Sequence, residues 1–146
     1  MNKISITKEV YDREITKKFV KDTVEKILKE LDLDNVEVSI LLTDDKRIRE
    51  LNRDWRGKDK TTDVLSFPAG EDFLGGYKYK LLGDIVISVP FARRQAKEIG
   101  YTPKEEILRL LIHGILHLLG YDHETSEEDA RVMFSLQDKI FSNISL

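Results

Sequence analysis

The sequence predicts an α+β fold: a mixed, mainly parallel four-stranded sheet with one antiparallel strand, covered by helices. Three observations carry this. Short apolar, β-branched runs occur at 3–6, 36–42, 63–68 and 81–88, the lengths and compositions of strands. Helical spacing fills the gaps after the first two, and such crossovers suit parallel pairing. Between the last two there is only a Gly-containing loop, 69–80, which permits an antiparallel edge.

The elements follow in order. "KISI" is a short strand. Residues 11–31 place Ile15, Phe19, Val24, Ile27, Leu28 and Leu31 at roughly helical spacing, with a charged opposite face. "VEVSILL" is the second strand. Thr43, Asp44 and Asp45 then start a short helix carrying Ile48 and Leu51, because acids suit a helix N-terminus. Trp55, near Leu51, is assigned to the core rather than to base stacking. "DVLSFP" and "LLGDIVIS" complete the strands. "VPFARRQAKEIG" is a helix closed by Gly100. Thr102, Pro103 and Glu105 form a capping box with proline at the first helical position. The helix they open runs to Leu119, stops at Gly120, and is apolar nearly all round, which predicts burial. A second box, Thr125 to Glu128, opens the last helix.

Composition sets outer limits. A chain of 146 residues favours one domain, 1–146, with one core. The longest apolar run is broken by Arg109 and His113, so no bilayer span is expected. The N-terminus has no apolar signal region, which points to a cytoplasmic protein, neither exported nor anchored. With no cysteine, disulfides and thiolate metal sites are excluded, and any metal must be held by histidine, carboxylate or backbone oxygen. A net charge of −3 lends nucleic-acid binding no overall support but leaves room for a local basic groove.

The three histidines, His113, His117 and His123, all lie in "HGILHLLGYDH". Four residues apart on a helix, His113 and His117 project from one face. Gly120 lets the chain turn so that His123 returns to the same point. Three converging imidazoles suit Zn2+ with a fourth position open, the pattern of a catalytic rather than a structural site. The same donors also suit nickel or copper. Two histidines on an apolar helix would otherwise be costly to bury without partners. The spacing equals the H-E-x-x-H-x-x-G-x-x-H of metzincin proteases, with Gly114 in place of the glutamate that serves as general base. Peptide hydrolysis loses support, while metal binding does not.

With Gly114 included, "HGILHLLGYDH" resembles the H-G-x-L-H-L-x-G-x-D-H signature of the YbeY family of bacterial rRNA maturation factors. "LNRDWRGKDKTTDVLSFP" (51–68) and "GDIVIS" (83–88) resemble two further blocks of that family, in family order. The resemblance implies a metzincin-like (zincin-like) fold and a metal-dependent, single-strand-specific endoribonuclease. The implied role is 16S rRNA 3′-end maturation and ribosome quality control, with precursor 16S rRNA, the small ribosomal subunit and its assembly factors as partners. It implies one Zn2+ at His113, His117 and His123, and Arg56 as the basic site residue. Chemistry gives Arg56 a task, since a guanidinium can hold phosphate oxygens through two parallel hydrogen bonds. The nucleophile is either a metal-activated water or the neighbouring 2′-hydroxyl, and a cyclic phosphate product would exclude direct water attack as the only step.

Other residues carry weaker signals. Arg47, Arg49, Arg53, Lys58 and Lys60 suit a phosphate track or a solvated face equally. Arg93, Arg94 and Lys97 suit a solvated face better than RNA. Asp122 fits a turn better than an outer partner of His123, and Asp63 and Asp84 have no role derivable from sequence. Two other readings stay open at this point: a zinc peptidase or amidohydrolase, and a non-catalytic ribosome-binding factor with a structural metal.

Overall fold

A computed structural model describes residues 1–70 and 77–146. In chain order the elements are β1 (Lys3–Lys8), α1 (Lys17–Glu30), β2 (Val36–Thr43), α2 (Asp45–Arg56), β3 (Val64–Pro68), β4 (Lys80–Ser88), α3 (Val89–Ile99), α4 (Pro103–Leu118) and α5 (Glu127–Asn143). The four strands form one sheet in the order β1-β2-β4-β3. β1, β2 and β4 are parallel, and β3 pairs antiparallel to β4 at the edge. This is the predicted α+β arrangement. The predicted loop 69–80 falls partly on residues 71–76, which lie outside the described residues.

Alternation along the strands divides the sheet into two faces. Val38, Ile40, Leu42, Ile85 and Ile87 face a large core shared with α1, α3, α4 and α5. Leu41, Val86, Leu65 and Phe67 face the other way, towards Ile48 and Leu51 of α2. Nearly all the helical mass therefore lies on one face, with α2 alone on the other. α4 sits deepest: Ile107, Leu108, Leu110, Leu111, Ile112, Ile115 and Leu116 are each at most 1% exposed, as its all-round apolar sequence predicts. No helix among the described residues is long and apolar enough to cross a membrane.

Three expectations need correction. The helix expected over 11–31 begins only at Lys17, after the N-cap Thr16, whose hydroxyl accepts from Phe19 N at 3.0 Å. Residues 12–15 form a turn instead, because the Asp12 carboxylate accepts from the backbone N–H of both Glu14 and Ile15 at 2.9 Å. Ile15 is still fully buried, so its apolar character was a packing signal and not a helical one. The last helix is capped by Ser126, which accepts from Asp129 N at 3.0 Å, and not by Thr125. Thr125 donates instead to the Asp129 carboxylate at 2.5 Å. Trp55, assigned to the core, is 72% exposed. The box at Thr102 and Glu105 forms as predicted, with bonds of 3.1 and 2.9 Å.

The turn at Asp12 is held from across the molecule. Arg93 of α3 donates to both Asp12 oxygens at 2.6 and 2.9 Å and to Glu14 at 3.1 Å, while Arg94 pairs with Asp45 at 2.8 Å. Both arginines thus bridge elements of the fold. The Arg93 hydrogen bonds hold the Asp12 carboxyl down at about 2, against an ordinary 3.8, despite partial burial. Its folded-state pKa is depressed, so its stabilisation is complete above pH about 4 and is lost as pH falls towards 2. Asp12→Asn, which keeps the turn acceptor, is expected to destabilise by about 1–2 kcal/mol at neutral pH, with Arg93 36% exposed and solvent screening the pair. Urea unfolding at pH 7, 4 and 2.5 checks this, since the gap between wild type and variant must shrink at the lowest pH.

One backbone feature shapes the region around the edge strand. β4 slips register against β2 between its pairings with Glu37 and Val38, and on its other side Gly83 lies opposite Pro68. Gly83 has φ +137°, and a Cβ there would lie 2.2 Å from Phe67 O and 3.0 Å from Leu118 at the end of α4. Only glycine lets β3, β4 and the C-terminal end of α4 approach this closely.

Candidate metal centre

The three histidines converge. His113 and His117 lie one turn apart on α4, their rings 4.6 Å apart centroid to centroid. α4 is capped by Leu119, and Gly120, at φ +100°, turns the chain. Asp122 then accepts from Glu124 N at 2.8 Å, a short turn that carries His123 back to within 5.3 Å of the His113 ring and 5.1 Å of the His117 ring. Asp122 is therefore a turn aspartate, as its sequence position suggests. One nitrogen from each histidine lies within 4.8 Å of the others, so the three could hold a metal ion.

The protonation chemistry fits the same use. Burial pushes the His113 imidazole below its ordinary value, partly opposed by its bond to Gln137. Burial also pushes His117 down, helped by the neighbouring His113 and His123. Neutral imidazoles are the form that binds metals. His113 Nδ1 lies 2.9 Å from Gln137 Oε1 and donates to it, which leaves Nε2 as the bare nitrogen, 3.2 Å from His117 Nε2. Among the described residues, His123 Nδ1 is buried without a hydrogen-bond partner. A buried ring nitrogen without a protein partner is costly unless something else occupies it.

Gln137 was not found from the sequence. It is 4% exposed on α5, in the buried row Met133, Gln137, Ile140. An amide in the middle of an apolar helical stripe is the signal that would have marked it. Phe134, from the same helix, packs its ring 5.6 Å from His123 and 6.3 Å from His113. Met133, also in α5, is fully buried.

Arg56 reaches the same groove from the other side. The cavity, about 720 Å³, is lined by the three histidines, Arg56, Lys58, Lys60, Asp63 and the β3 residues Val64, Leu65, Ser66 and Pro68. α2 ends at Arg56 because Gly57 takes φ +71° and closes the helix. The guanidinium donates to Ser66 O and lies 5.2 Å from the centre of the Phe67 ring. With one bond fixed in this way, most of its five N–H donors stay available. Lys58 and Lys60 extend the basic lining. Arg47, Arg49 and Arg53 line no part of this groove and pair with Glu9 and Glu50, with Asp59 and with Asp54 respectively. Asp63 accepts from Val64 N at 2.7 Å and from Gln95 Nε2 at 2.9 Å, and so fixes the start of β3. Asp84 and Trp55 lie elsewhere, in a separate cleft of about 550 Å³ beside α2. Burial raises the Asp84 carboxyl there.

Comparison with known proteins agrees with this geometry. The family model described as Endoribonuclease YbeY matches residues 3–145. The Endoribonuclease YbeY of Sulfurihydrogenibium sp. is 68% identical over 144 residues, covering 99% of this chain and 93% of that one. That of Aquifex aeolicus is 49% identical over 150 residues, covering 97% and 98%. The solution structure of a Thermotoga maritima protein superposes with a TM-score of 0.65 at 31% identity, over 97% of this chain and 87% of that one. With the match running essentially end to end and the histidine constellation intact, the chain belongs to the YbeY family of endoribonucleases.

Proposed function

We propose that this enzyme cuts single-stranded RNA in the groove between α4 and β3, with zinc at His113, His117 and His123 and Arg56 on the phosphate. The observation that carries this is the shared groove: three converging imidazoles line one cavity together with Arg56, Lys58 and Lys60. A zinc ion there would polarise a phosphoryl oxygen and activate an oxygen nucleophile. The chain's own residues do the rest. Gln137 holds the His113 ring in one tautomer, and Phe134 packs against the rings of His113 and His123. Arg56, anchored on Ser66 O and Phe67, meets the negative charge that grows on the phosphate. Following the family, the substrate is precursor 16S rRNA near its 3′ end, on the small ribosomal subunit with its assembly factors, in the cytoplasm.

The edge strand argues against a peptide substrate. Ser88 N donates to Asp63 O and Ala69 N to Leu82 O, so the odd-numbered positions of β3 bond to β4. Val64, Ser66 and Pro68 therefore present their backbone to the free edge and the groove. A peptide bound as an added strand needs a row of such groups. Here the Val64 N–H is held by its own neighbour Asp63, the Ser66 carbonyl by Arg56, and Pro68 has no N–H.

Arg56→Ala is expected to lower kcat/KM on single-stranded RNA by about a hundred-fold or more, the usual effect of removing a donor aimed at developing charge. Arg56→Lys should recover only part, since an ammonium lacks the planar fork. Cleavage by the purified protein, with a peptide substrate in parallel, tests the reading. Equal RNA cleavage by wild type and Arg56→Ala would remove Arg56 from the mechanism, and peptide cleavage would restore the peptidase.

A further inference from the structure

The same edge leaves one adjacent acceptor and donor without a partner. Among the described residues nothing bonds the Val64 C=O or the Ser66 N–H, and both residues line the groove beside the histidines. They point to the same side of an extended strand, an acceptor followed two residues later by a donor. We infer that this pair is a docking edge for one nucleobase of the RNA strand.

The chemistry is complementary. The pairing edge of every RNA base sets a donor beside an acceptor: an amino group beside a ring nitrogen in adenine and cytosine, a ring N–H beside a carbonyl in guanine and uracil. Either order can lie against one C=O and one N–H, so the edge distinguishes pairing state and not sequence. A base already in a duplex has its pairing edge occupied and cannot dock. Exposed bases of single strands are recognised by hydrogen bonds along this edge, while phosphates take the basic groups. Here the phosphates would run along Arg56, Lys58 and Lys60 of the same groove, Arg56 being held next to this edge by the Ser66 carbonyl. Selection of single strands would then reside in the backbone of β3. Asp63 takes the Val64 N–H, Arg56 takes the Ser66 carbonyl, and Pro68 offers no N–H, so no second acceptor–donor pair follows and the subsite is limited to one base.

This inference rests on the nuclease reading above, and the test separates the two. Metal-loaded protein is given short single-stranded oligoadenylates in which adenine is replaced by 1-deazaadenine, which loses the ring acceptor on the pairing edge, or by 7-deazaadenine, which alters the opposite edge. The 1-deaza strand is expected to be cut about ten-fold more slowly in kcat/KM than the 7-deaza strand. Ser66→Pro removes the N–H at a position outside the β4 ladder, where an edge strand tolerates proline. It should lose about ten-fold on unmodified RNA and show no further loss with the 1-deaza strand. Equal cutting of the two deaza strands by wild type overturns the docking edge, as does a Ser66→Pro variant that melts like wild type and cuts at its rate. If Ser66→Pro does not fold, the wild-type comparison alone decides. If wild type cuts no RNA at all, the nuclease reading fails, and the docking edge with it.

Discussion

His117→Ala is expected to abolish stoichiometric metal binding and to lower single-stranded RNA cleavage by well over a hundred-fold. His117 is the middle imidazole, 4.6 Å from the His113 ring and 5.1 Å from that of His123. Removing it leaves two nitrogens joined only through the turn at Gly120. Loss of a mere outer partner of a ligand typically lowers affinity or activity 10–100-fold, so loss of a ligand itself should exceed that range. The apo fold should tolerate the change. His117 is half-buried, its burial already disfavours a charged ring, and among the described residues its side chain bonds only to His113. Metal content by elemental analysis, melting temperature and RNA cleavage, each with and without chelator, check this. Chelated wild type should match the variant in all three. Full cleavage by a metal-free His117→Ala would refute the mechanism. A chelated wild type that still cuts but melts earlier would make the metal structural.

Much of the site was legible in the sequence because its elements are local. His113, His117, Gly120 and His123 lie within one helix and its turn, where spacing alone fixes direction. The boxed cap at Thr102 and the all-round apolar helix after it are similarly local, and both formed as expected. What escaped depends on distance along the chain. Gln137 meets His113 from another helix, and its sequence neighbours say nothing of that contact. Trp55 looked like core because Leu51 is, yet among the described residues α2 is the one helix on its face of the sheet, and none of them covers the tryptophan. Ile15 is buried without being helical, since Asp12 competes for the backbone that a helix would need. The block around Arg56 was informative only through resemblance. Its physical content, a guanidinium closing the free edge of β3, required the sheet order.

Gly114→Glu, which would recreate the metzincin motif, is expected to unfold the protein instead of making a peptidase. From sequence, Gly114 looked like a missing catalytic base. In the fold it is a packing residue: a Cβ built there lies 3.0, 3.1 and 3.2 Å from three side-chain carbons of Ile85 on β4. Position 114 thus faces the sheet. Overpacking of this kind costs about 1–3 kcal/mol, and a carboxylate driven between α4 and β4 adds several more. Against a typical total of about 5–15 kcal/mol, that is enough to leave the variant largely unfolded or melting far earlier. Gly114→Ala gives a finer measure, because about 1 kcal/mol of helix propensity opposes the clash. Pairing it with Ile85→Val, which removes the nearest carbon, should make the alanine more favourable by about 1 kcal/mol, a coupling readable in a double-mutant cycle of unfolding free energies. A Gly114→Glu protein that melts like wild type would mean that residue 114 points into the groove after all. If the cycle shows the coupling, α4 lies too close to β4 for a general base at this position, and the loss of the glutamate belongs to the packing of the whole helix.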